Sequence, residues 1–224
     1  MKIIKNIFIF AVIAFLAIFV YNFSLRYLHE NAVLKQVISR LEADSRAAEV
    51  LVTGVNFDEA TQKNFTTIKF LEYDTKGRPL EPKYFTFAGN IIQFQSLVIR
   101  FDDTLIRAGN RLKGKSAYIF WKIFMLDGAN TKEYEINKMS EVPSGYKIEG
   151  PEDPFEETLW REFWRYAFDS REAKKAGVKN AQIEAPGTMF VPGYLYTIKI
   201  EHDGGLRIDT ASLPGILRGE EIPN

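Results

Sequence analysis

Ile7-Phe8-Ile9-Phe10-Ala11-Val12-Ile13-Ala14-Phe15-Leu16-Ala17-Ile18-Phe19-Val20-Tyr21 is an unbroken apolar run near the start of the chain. With Ile3, Ile4 and Phe23 added it makes a helix of about 30 Å at 1.5 Å per residue, the thickness of one hydrocarbon core. This stretch decides in which solvent, and on which side of a bilayer, everything after it folds. A cleaved export signal also carries lysines before its apolar run, here Lys2 and Lys5, but it needs small residues at the cut. The exit reads Tyr21-Asn22-Phe23-Ser24-Leu25-Arg26, so an uncleaved anchor over residues 1–23 is expected, with the lipid bilayer as partner along Ile3 to Phe23.

Lys2, Lys5 and the amino terminus precede the run, while Arg26, Lys35 and Arg40 follow it, so the positive-inside comparison is nearly balanced. The short lysine-bearing leader tips the expectation toward a cytoplasmic N-terminus and an exported body. Tyr21, Phe23 and Tyr27 suit the membrane interface.

The chain has 224 residues, 46% hydrophobic and 14% aromatic, enough beyond the anchor for one domain with a real core. All 29 acidic residues lie after Tyr21, with every basic residue except Lys2 and Lys5. The body is therefore close to neutral, which argues against a nucleic-acid binder. No cysteine is present, which excludes disulfides, thiolate metal sites and thiol nucleophiles.

Residues 24–48 read as a helical stalk, with Leu34, Ile38, Leu41, Ser45 and Ala48 spaced four and three apart. Such a stripe either rests on the chain's own domain or pairs with a second copy, Asn31 then fixing the register of a homodimer. From Glu49 the period becomes two. The reading for 49–213 is a mainly β (α+β) body, a β-sandwich-like domain with one packed amphipathic helix, followed by a fraying tail at 214–224.

Leu51, Thr53, Val55 and Phe57 share one side of the first strand, and Thr66 to Tyr73 with Tyr84 to Phe87 make a hairpin around Gly77. In Asn90 to Phe101, Ile92 and Phe94 have one parity, and Leu97, Ile99 and Phe101 the other. A bulge near Gln95-Ser96 would reconcile them. Ala117 to Leu126 is apolar on both parities except at Lys122, as in a strand covered on both faces. A weaker strand is expected around Tyr134 to Lys138.

Asp153, Pro154 and Glu156 give a capping-box start to a helix that ends at Gly177. Its apolar residues, Phe155, Leu159, Trp160, Phe163, Trp164, Ala167 and Phe168, cover more than half the wheel, so it needs the sheet on one side and a loop or the stalk on the other. Ala181, Ile183 and Ala185 alternate, Pro186-Gly187 reads as a turn, and Tyr194, Tyr196, Ile198 and Ile200 line one face of the clearest strand, which Asp203-Gly204-Gly205 turns into Leu206 to Thr210.

The pattern Phe190-x-Pro192-Gly193-x-x-Tyr196-x-Ile198-x-Ile200 resembles the corner before the penultimate strand of fibronectin type III and immunoglobulin-like sandwiches. The resemblance implies a tyrosine hydroxyl, that of Tyr196, bonded back to the corner backbone.

No phosphate-binding glycine loop, nucleophile elbow or zinc-binding helix is present, and neither a catalytic, a cofactor nor a metal site is assigned. His202 stands between Glu201 and Asp203, but adjacent strand residues point to opposite faces. Glu156 falls inside the helix's apolar arc, where burial would raise its pKa and suit a carboxylate pair. Arg107, Arg111, Lys113 and Lys115 form a basic segment that could meet anionic lipid or wall polymers. The functional expectation is an envelope binding or scaffolding protein with a protein or glycan partner. The alternatives are an envelope enzyme that uses acidic residues on glycan, and a subunit that assembles through the stalk.

Overall fold

The period-two segments of the body assemble into two antiparallel sheets. The computed structural model describes residues 2–41, 48–101, 116–127, 130–151, 153–200 and 205–215. Helix α1 (Lys2–Leu41) leads into strands β1 (Ala48–Asp58), β2 (Lys63–Glu72), β3 (Lys83–Phe87), β4 (Ile91–Phe101), β5 (Ser116–Asp127) and β6 (Asn130–Glu135). A 3-10 turn (Ser144–Tyr146), helices α2 (Pro154–Tyr166) and α3 (Ser170–Lys175), and strands β7 (Val178–Glu184), β8 (Gly187–Met189), β9 (Tyr194–Ile200) and β10 (Leu206–Ser212) follow. One sheet has the order β10-β9-β1-β2-β3; the other runs β6-β5-β4-β7, with β8 also paired to β4.

Two cores share the second sheet. On one face Ile92, Phe94, Phe120 and Ile123 meet Val50, Ile68, Phe70 and Ile198 of the first sheet. Phe70 stacks on Phe94 at 5.6 Å and meets Phe120 edge-on at 5.4 Å, geometries that aromatic quadrupoles favour. On the other face Leu97, Ile99, Ala117 and Ile119 pack under Trp160, Phe163 and Trp164 of α2 and Val33 and Val37 of α1. The body is thus a sheet-sheet-helix stack, with β4 and β5 in its middle layer. Each buried Val, Leu, Ile or Phe among them contributes about 1.5–3 kcal/mol.

This double coverage explains β4. The pairing with β5 is irregular between Gln95 and Ser96, at the expected place, but the extra residue is Trp121 on β5. The strand is not switched from one face to the other: its two parities serve two cores. The bulge instead puts Trp121 on the helix side next to Lys122, whose ammonium lies 4.9 Å from the indole centre and donates to Glu133.

In β1 the inward residues are Ala48, Val50 and Val52, the parity opposite to Leu51, Thr53, Val55 and Phe57. Phe57 is 55% exposed. Both parities of β1 are apolar, so alternation alone could not choose between them, and a register shift at Val52/Gly54 ends the inward set. At the β2–β3 hairpin Gly77 has φ +73°, and Asp74 accepts the N–H groups of Lys76 and Arg78. Strand β6 ends at Glu135, earlier than expected, because beyond it the N–H groups of Ile136 and Asn137 both donate to the carbonyl of the bulged Trp121 and the regular ladder stops.

Helix α1 is continuous from the apolar run to Leu41, and Ala48, expected on the helical stripe, opens β1 instead. Its stalk portion rests on the chain's own domain: Val33, Val37 and Ile38 are buried, Val37 completely. Asn31 donates to the Tyr27 carbonyl one turn back.

The single body helix of the sequence reading is two. Asp169 adopts extended backbone and accepts from Arg171 and Glu172 N–H, so it caps a new helix and interrupts the first. Gly177, at φ +78°, closes α3 as expected. Pro186-Gly187 does not reverse the chain. The Pro186 carbonyl accepts Phe94 N–H, and β7 and β8 run in one direction along β4 on either side of this break. At Gly187 a Cβ would come within 2.5 Å of Gln93 Cγ, so glycine permits the close pairing.

Tyr196 does form the expected corner: its hydroxyl accepts Val191 N–H at 2.8 Å and donates to the Met189 carbonyl at 3.2 Å. It ties the crossing from the second sheet to the start of β9. Tyr196→Phe is expected to lower stability by about 1–3 kcal/mol, the cost of stranding a buried partner, as measured by chemical denaturation.

Candidate functional site

Helix α2 begins where the chain brings three distant segments together. Pro154 fits the first helical position, and Asp153 Oδ1 accepts Phe155 and Glu156 N–H at 2.9 and 3.1 Å. Asp153 Oδ2 lies 2.6 Å from His29 Nε2 on α1. Burial pushes the Asp153 carboxyl up, but the Glu156 N–H, His29 and the Phe155 N–H outweigh it and hold the group below its ordinary value.

Glu156 does not close a capping box. Its Oε1 accepts Ile148 N–H at 3.2 Å, so the carboxylate serves the loop at 138–151 and not the cap backbone. It is only 3% exposed, and burial holds its carboxyl above the ordinary value; Ile148 N–H, Arg40 and Lys147 oppose that shift, and Asp153 adds to it. A carboxyl raised in the folded state binds its proton more tightly there. Its contribution is therefore most favourable below the ordinary value of 4.5 and is lost as pH rises through the raised one. Glu156→Gln keeps an acceptor for Ile148. The variant is expected to gain melting temperature over its parent at neutral pH and to converge with it in acid, a comparison that cancels carboxylates shifted the other way.

The loop itself is held from four sides. Arg40 Nη1 donates to the Tyr146 carbonyl at 2.9 Å and to the Lys147 carbonyl. Trp164 Nε1 donates to the Glu141 carbonyl, Tyr118 N–H donates to the Tyr146 hydroxyl, and the Tyr146 ring lies 4.7 Å from that of Trp160. Between this loop and α2 lies a crevice of about 420 Å³, lined among others by Glu141, Lys147, Asp153, Glu156, Glu157 and Arg161. A neighbouring cavity of about 390 Å³ opens between α1, at Arg26, His29 and Glu30, and the first turn of α2.

Of the residues considered from sequence, the crevice takes Glu156. Arg107, Arg111, Lys113 and Lys115 lie outside the described residues, as does His202. His29 joins the stalk to the α2 cap. Arg40 was missed, since nothing in local spacing links it to carbonyls more than a hundred positions away, and Lys147 and Arg161 were missed because neither carries a motif that sets it apart from other surface cations. Among the described residues no group of three or more His, Asp or Glu side chains could hold a metal ion.

Along α1, Phe10 is 74% and Phe15 69% exposed, and the apolar surface continues through Tyr27 and Leu28 to the point where the body docks. This helix is long and apolar enough to cross a membrane. The chain is therefore a mainly β protein of two antiparallel sheets behind a long N-terminal apolar helix. Comparison with family models, with curated proteins and with solved structures finds no match.

Proposed function

We propose that this is a single-pass membrane protein of the cell envelope, N-terminus in the cytoplasm and body outside, that binds or scaffolds a partner at a fixed height above the bilayer. The observation that carries the reading is the unbroken run of α1 into the core, with Val37 buried and Arg40 holding the crevice loop. A flexible linker would let a domain roam; a helix sunk in its core sets both distance and orientation. His29 is six residues beyond Phe23, about 9 Å along the helix, so the start of α2 stands next to the lipid surface. The lysine-bearing leader supports the orientation.

Because the chain lacks cysteine, single-cysteine variants test this directly. Thr210→Cys is expected to react with a membrane-impermeant maleimide in intact cells, and Lys2→Cys only after lysis, with both proteins retained in membranes through an alkaline wash. The reverse labelling, or release by the wash, overturns the reading.

One observation favours a second reading, hydrolysis of a glycan: Asp153 and Glu156 share the crevice, and their carboxyls are pushed in opposite directions. Against it, both Asp153 oxygens already serve the helix cap and His29. Glycan cleavage by the purified protein, lost in Glu156→Gln while the variant stays folded, would establish it.

A further inference from the structure

Glu156 is buried, yet it lines an open crevice, and among the described residues only one of its oxygens has a partner. Oε1 takes the Ile148 N–H, and no described group bonds Oε2. From a residue this buried, Oε2 is the oxygen left to meet an occupant of the crevice, and an ammonium group would bring it charge as well as a hydrogen bond. Arg161 lines the same crevice five residues further along α2, about 7.5 Å along the axis. It makes no ion pair or hydrogen bond among the described residues, although Glu157 precedes it at the i, i+4 spacing that favours one. Lys147 adds positive charge from the loop side.

We propose that the crevice between the 138–151 loop and the first turns of α2 binds a small zwitterion, its ammonium group on Glu156 Oε2 and its anionic group at Arg161. Both side chains line the one crevice, so a single small molecule carrying both charges can meet them together. The crevice volume, about 420 Å³, is in the range of small-molecule sites. This deepens the binding reading by naming a ligand class. Because Arg40 of the stalk holds the carbonyls of Tyr146 and Lys147, next to the Ile148 N–H that meets Glu156, an occupant would contact the segment that the membrane helix positions. The same chemistry is offered by a free α-amino acid and by an ethanolamine phosphate head group.

The test is calorimetric titration of the full-length protein in uncharged detergent micelles with glycine, phosphorylethanolamine, ethylamine and acetate. At least one zwitterion is expected to bind about tenfold or more tighter than ethylamine and acetate, and Glu156→Gln to weaken it by about tenfold or more. Arg161→Gln is expected to bring it down to the level of ethylamine. Glycine as the tighter ligand marks a free amino acid as the source, and phosphorylethanolamine marks the head group. Glu156→Gln keeps the Ile148 acceptor and Arg161 is exposed, so both variants retain the fold. Absence of zwitterion binding, or binding unchanged in either variant, overturns the proposal. Membrane retention and the labelling pattern above are unaffected by that result and report separately on the anchored reading.

Discussion

Trp164→Ala is expected to destabilise the protein by about 3–5 kcal/mol. Trp164 is 1% exposed, meets Trp121 edge-on at 5.9 Å, and is the contact through which α2 grips the bulge of β5. Its Nε1 also fixes the Glu141 carbonyl at 3.0 Å, so truncation opens a void and releases one side of the crevice loop. Trp164→Phe separates the two contributions: it keeps most of the packing and loses the hydrogen bond, for an expected loss of about 1–3 kcal/mol. Denaturation of the detergent-solubilised protein, followed by fluorescence of Trp121 and Trp160, measures both. Equal losses in the two variants would contradict a packing role.

Val37→Asp is expected to cost a similar amount, about 3–5 kcal/mol, because it leaves a charge buried without a partner. Val37 is fully buried between α1 and the helix-side core, one residue from exposed Gln36. Gln36→Asp, on the outer side of the same helix turn, is expected to change stability by less than about 0.5 kcal/mol. The pair isolates docking from helix propensity, since both variants place the same residue in the same helix. Val37→Asp should also expose the stalk to protease while the two-sheet core remains resistant. If both substitutions cost equally little, the stalk is not seated in the core.

Much of this architecture was legible from residue pattern. Double-sided apolarity in Ala117 to Leu126 marked β5 as a covered strand, and Tyr196 marked the corner. The wide apolar arc of α2 required two neighbours, and it has them in the second sheet and the stalk. What pattern could not supply was the choice between two equally apolar parities, as in β1, where the neighbouring sheet decides. Nor could it show that Trp121 carries the bulge, because a pairing irregularity belongs to two strands and only one was under suspicion. Glu156 is the sharpest case. Its spacing from Asp153 fits a capping box, but Ile148 N–H from a separate loop offers a partner that the cap backbone does not have to provide. The break at Asp169 was visible in principle, since an aspartate two and three residues ahead of Arg171 and Glu172 is itself a capping arrangement.

The central claim is that the long apolar helix and the body form one rigid piece. Spin labels at Ser24→Cys, just past the apolar run, and Asn180→Cys, on exposed β7, give the distance between them by pulsed electron resonance of the full-length protein in lipid nanodiscs. The account predicts one narrow distance distribution, broadened by Val37→Asp. A broad distribution in the parent protein, unchanged by that substitution, would contradict it.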